Sequence, residues 1–210
     1  MREVGEVNAR RVGSWAATAL GTLGIAYLVV VGVGIAQVGS DEPIVDPVLA
    51  IMEVLTLLSA PLVVILLAAI HEYGPSEQRP LTLAALAFGV GMATVTSTVH
   101  FIALTSARQM GAFVLDWPSH LYAAELLAWD VFLGLALVLA ASAFSGDALS
   151  RWTRRVLVLT GTLCLLGTAG PLIGDLRVQR IGVFGYGVGL PLGCFLVARV
   201  LRGSAAGDRP

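Results

Sequence analysis

The sequence contains no lysine; all 13 basic residues are arginine. That absence excludes Schiff-base chemistry, whether with retinal or pyridoxal phosphate, because both need a lysine amine. It also excludes a Walker A phosphate loop, whose lysine reaches the phosphates. Charge of any kind is scarce. Charged side chains make up 13% of the chain, against about a quarter in a soluble domain. A formal net charge of -1 supplies no basic field for nucleic acid. The two cysteines, Cys164 and Cys194, both lie in apolar stretches and give no disulfide scaffold. Histidine is limited to His71, His100 and His120. His71-Glu72 lacks a second histidine one turn later, so the zincin pair is missing. No two histidines sit at matching depths to hold a haem, and no G-x-S-x-G elbow occurs. The composition calls for no cofactor and no metal ion.

What the chain has instead is apolar surface. Of its 210 residues, 57% are hydrophobic, and the mean hydropathy is +0.85. A globule of this size cannot bury so much, so lipid must cover it. Six hydrophobic segments, near residues 16–37, 48–70, 81–106, 121–144, 156–174 and 181–198, each approach the ~20 residues that cross a bilayer as a helix. Outer-membrane-type alternation is absent. The fold class is all-α, a bundle of six transmembrane helices, and short connections leave room for one transmembrane domain only. The N-terminal apolar run exceeds a typical signal core and lacks a small-residue cleavage site, which predicts a retained signal-anchor helix.

Orientation follows from arginine. The two termini and the second and fourth loops hold ten arginines, whereas the alternate loops hold Arg108, Arg177 and Arg180. Ten against three predicts a multi-pass protein of the cell membrane with both termini cytoplasmic. Glycines spaced four apart (Gly170 and Gly174, then Gly185, Gly189 and Gly193) put small faces on the last two helices for close packing. Pro61, Pro171 and Pro191 fall inside predicted spans and free a carbonyl one turn earlier.

With that orientation the ionisable groups inside the spans gather in the outer half of the bilayer. Glu53 lies on helix two, His100 on helix three, Glu125 one turn into helix four and Asp130 near its middle. Asp175 closes helix five and Tyr186 opens helix six. Even on a lenient scale a charge in hydrocarbon costs ~2.5–3.5 kcal/mol, so such groups pair or serve a pathway. Tyr122, Glu125 and Trp129 share one helical face, and Thr96, Ser97, His100, Leu104 and Arg108 share another. Glu125 and Asp130 are about 140° apart around their axis and cannot meet the same neighbour. The candidate pocket has His100, Glu125 and Asp130 at its centre, Arg108 and Asp175 at its mouth, and Glu53 and Tyr186 nearby. The loop from Arg108 to His120 is too apolar for a free loop and reads as an interfacial anchor or lid.

Three accounts fit such a cluster: polar contacts that only fix helix packing, a site for a small solute or proton, or an embedded hydrolase or transferase acting on lipid. The implied partners are the lipid bilayer, a small-molecule or ion ligand and a second copy of the chain in a homo-oligomer. In layout, in the stretch His100-Phe101-Ile102-Ala103-Leu104-Thr105-Ser106-Ala107-Arg108-Gln109 and in its Gly-Pro-rich end, the chain resembles small bacterial six-span membrane proteins of unassigned function. That resemblance implies the six-helix layout and no particular activity.

Overall fold

The computed structural model describes residues 2–39, 42–111 and 117–207. Every regular element in them is helical. Six helices are long and apolar enough to cross a membrane: α1 (Asn8–Val38), α2 (Val48–Tyr73), α3 (Ser76–Ala107), α4 (His120–Ala143), α5 (Ala148–Ile173) and α6 (Leu176–Gly203). Each packs against the next, and α6 returns to pack against α1. The result is a closed ring of neighbouring helices with the first and last side by side.

The helices run past the hydropathy segments where amphipathic turns extend them. α5 starts at Ala148, eight residues before the predicted apolar run, because Asp147 caps it by accepting from the Ser150 amide at 2.9 Å. Arg151, Arg154 and Arg155 ride on exposed faces of these first turns, while Ser150 and Thr153 face inward. Likewise α6 starts at Leu176 rather than near residue 181, with Asp175 as its cap. The turn between them is therefore tight. Gly174, at φ +74°, makes that turn, a backbone shape that L side chains resist. Its role is conformational, which corrects the expectation that it belongs to a packing face.

The other glycines of the stripe do pack. A Cβ on Gly185 would strike Cys164 and the Thr160 carbonyl, and one on Gly189 would strike the Thr160 side chain. Gly170 abuts the backbone of Gln179 across the tight turn. Close approach of backbones supplies the dispersion contacts that hold helices together where water offers no hydrophobic drive.

The tightest apolar core lies in the half of the ring that holds the chain ends. It includes Ala16, Ala17 and Leu20 of α1, Leu66 and Ile70 of α2, Ala136 and Ala140 of α4, and Val197 and Leu201 of α6. On the outside, Trp15, Val29, Phe101, Leu159 and Phe184 are exposed. A ring of large apolar side chains around the bundle is the surface that lipid covers and water would not. Three wide π-helical turns interrupt the helices, at Ala103–Ala107, Leu127–Phe132 and Gly185–Gly189. All three fall in the half of the bundle opposite the core or at its middle, and such turns re-aim the side chains around them.

Candidate functional site

Bordering the apolar core at Leu20, the ring encloses a partly open cavity of about 310 Å³. Five helices line it: α1, α2, α3, α4 and α6. Most of its wall is apolar, from residues such as Leu20, Leu23, Met52 and Leu55. Its polar part is concentrated in one place.

That place is a three-residue chain of hydrogen bonds. His100, near the end of α3, is 6% exposed, and Glu53, in the second turn of α2, is 2% exposed. His100 Nδ1 is bonded to Glu53 Oε2. Its other ring nitrogen, Nε2, is 2.7 Å from Oε1 of Glu125, on the second turn of α4. One imidazole thus joins two carboxylates from two other helices. Glu125 also accepts from the Trp129 indole N–H at 2.5 Å and from the Thr96 hydroxyl at 3.2 Å. The i, i+4 spacing of Glu125 and Trp129 places both on one face, and Thr96 lies one turn before His100 on the same stripe of α3.

Aromatic rings surround this chain. Tyr27, Tyr122, Trp129 and Tyr186 all line the cavity. Trp129 and Tyr186 pack with centroids 5.4 Å apart and planes tilted by 58°. Tyr122 is edge-on to Trp117 at 6.0 Å.

Of the residues singled out from sequence, the fold brings Glu53, His100, Glu125 and Tyr186 to the cavity. It takes the other three elsewhere. Asp130 does not sit beside His100. It is fully buried on the opposite side of α4, where the Gln179 side-chain amide reaches its Oδ2 at 3.4 Å. Oδ1 has no hydrogen-bond partner among the described residues. Gly182 makes room for it, since a Cβ there would collide with the carboxylate. The same Gln179 amide donates to the Tyr186 hydroxyl at 3.2 Å, so the two polar regions touch through one side chain.

Arg108 is at the end of α3 and off the cavity wall. Its guanidinium grips Asp46 through two bonds, Nε to Oδ2 at 3.1 Å and Nη2 to Oδ1 at 2.8 Å, and donates from Nη1 to the Ala103 carbonyl at 2.8 Å. The Arg108 guanidinium holds the Asp46 carboxyl below the usual carboxylate range, and Asp46 in turn raises Arg108. The pair ties the end of α3 to the start of α2. Asp175 caps α6 by accepting from the Arg177 amide at 2.8 Å. It is a helix-start residue.

Two participants escaped the sequence reading. Tyr27 sits on a helix segment with no charge to draw attention. Gln179 falls in what hydropathy reads as a loop. His71 is bound to the Thr82 hydroxyl at 2.8 Å, away from the cavity. No group of three potential metal ligands was found among the described residues. Residues 112–116, the middle of the predicted lid, lie outside the described residues; Ser119 caps α4, accepting from the Tyr122 amide at 3.2 Å.

Compared with family models, with curated proteins and with solved structures, the chain matches none.

Proposed function

We propose that this chain is a multi-pass protein of the cell membrane, one transmembrane domain with both ends cytoplasmic, that binds or moves a small solute or a proton through the cavity. By the arginine count the cavity opens in the outer half of the bilayer. One observation carries the reading. Three ionisable groups from three helices, Glu53, His100 and Glu125, form a continuous chain at the wall of a cavity. Charge placed in an apolar bundle is costly and concentrates where ions and protons are handled. Polar contacts serving packing alone would close the space around themselves, as the Asp130 site does. Here the space is left open, with a volume inside the usual range for small-molecule sites.

The test uses the full chain in liposomes holding a pH-sensitive dye. After an imposed pH step, the dye should respond faster than in protein-free liposomes, or respond when a transported solute is added. Glu125→Gln should slow that response at least tenfold while thermal unfolding in detergent shows the variant folded. A wild-type response equal to that of empty liposomes, with no solute altering it or binding, overturns the reading in favour of a packing role.

A further inference from the structure

Resting on the pocket reading above, we propose that the cavity selects a small organic monocation, an amine with an apolar body, rather than a neutral or anionic solute. The argument begins with a proton count. Each ring nitrogen of His100 shares one hydrogen bond with a carboxylate, and each such bond holds one proton. With both protons on the ring, an imidazolium faces two carboxylates. Moving either proton across its bond neutralises the ring and one carboxylate together. In every arrangement the three groups sum to one negative charge.

None of the described residues on the cavity wall cancels it. The lining residues include no arginine. Trp129 and Thr96 donate to Glu125 as neutral groups. Arg108 is near enough to feel Glu53, but it is spent on Asp46, which makes that pair neutral as a unit. Asp130 faces α6 on the other side of α4. A buried charge without a counter-charge is expensive, so the cavity as built is one positive charge short.

The rest of the wall states what carries that charge. Four aromatic rings and a majority of apolar side chains make a poor cage for a bare metal ion, which needs several oxygen ligands. They make a good one for an ammonium group, whose charge is drawn to ring faces and whose alkyl or aryl body is covered by leucine and methionine. The Tyr27 hydroxyl, on the cavity wall and without a hydrogen-bond partner among the described residues, is available to accept from an ammonium N–H. At about 310 Å³ the cavity holds the volume of about ten waters, enough for a ligand of similar heavy-atom count. A third proton on the triad would also neutralise it. Proton and amine therefore compete for one charge, and amine binding should weaken as pH falls.

Three probes of similar bulk separate the possibilities by calorimetry on the purified full chain in detergent: 2-phenylethylamine, 2-phenylethanol and phenylacetate. The amine should bind at one site at least tenfold more tightly than the alcohol, with the acid weakest, and more weakly at pH 5.5 than at pH 7.5. Tyr27→Leu, which leaves the triad intact, should weaken the amine about fivefold and the alcohol less. Glu125→Gln should erase the amine's advantage; if that variant does not fold, Tyr27→Leu still decides. Equal binding of amine and alcohol, or preference for the acid, overturns the monocation while leaving a solute pocket. Liposome proton movement without any amine binding likewise overturns it and leaves a proton pathway. Absence of both overturns the monocation and the pocket together.

Discussion

Two buried acidic regions lie within one bundle and are built in opposite ways. Glu53 and Glu125 share an imidazole, Glu125 accepts in addition from an indole N–H and a hydroxyl, and both border open space. Asp130, five residues past Glu125, has a single long contact with an amide, one oxygen without a partner among the described residues, and a glycine pressed against it. The first arrangement satisfies ionised groups and keeps room beside them. The second closes around a lone carboxyl and leaves no room for anything else. The lesson is that burial of an acid does not identify a site; partners and adjacent volume do.

The comparison yields predictions of decreasing size. The largest concerns the shared imidazole. His100→Leu leaves two buried carboxylates facing an apolar group, which should cost about 3–5 kcal/mol of stability. Replacing all three with leucine should recover more than half of that loss in denaturant unfolding, because no uncompensated charge remains. If the single and triple variants are equally unstable, the triad is not an electrostatic unit.

On the other side of α4, Gly182→Ala should cost about 1–3 kcal/mol by overpacking against Asp130. The effect should shrink in the Asp130→Ala background, where the obstructing carboxylate is gone; a double-mutant cycle on thermal unfolding measures the coupling. Asp130→Asn should move stability by no more than about 1 kcal/mol, and upward, since a half-satisfied acid becomes a neutral amide of the same shape. Glu125→Gln should move it downward by about 1.5–3 kcal/mol, the range of a hydrogen bond to a charged group. Equal losses in the two variants would erase the distinction between the regions.

The smallest effect belongs to the exposed pair at the helix ends. Asp46→Asn should cost about 0.2–1 kcal/mol at pH 7, in line with solvated ion pairs. Because Arg108 lowers the Asp46 carboxyl, its stabilisation is present above the unfolded value of about 3.9 and is lost as pH falls through the native one. The difference in unfolding temperature between wild type and variant should therefore hold above the unfolded value of about 3.9 and shrink as pH falls beneath it.

Much of this was legible from particular residues. Runs of apolar residues set the helices, because a backbone in lipid must bond to itself and a helix does so locally. Tyr122, Glu125 and Trp129 could be grouped by spacing alone, as could Thr96 and His100, since a helical repeat fixes which side chains share a face. The divergence of Glu125 from Asp130 followed from the same repeat. The helix starts at Ala148 and Leu176 did not follow from hydropathy. They are amphipathic turns with arginines on their exposed side, and an average over a window reads them as loop. Glu53 looked peripheral because its distance to His100 along the chain carries no information about α2 packing on α3.

By itself the sequence determined the class of molecule and the place of each polar group along its helix. Composition and local periodicity act residue by residue, and they are enough to commit a lysine-free, apolar chain to six helices. Which polar groups meet was decided only in the tertiary structure. The ring order of the helices, their rotation at the π-helical turns and the close approach allowed by Gly182 assign His100 to Glu53 and Glu125 and hand Asp130 to Gln179. Those choices depend on contacts between residues dozens of positions apart, where a small rotation of one helix exchanges one partner for another.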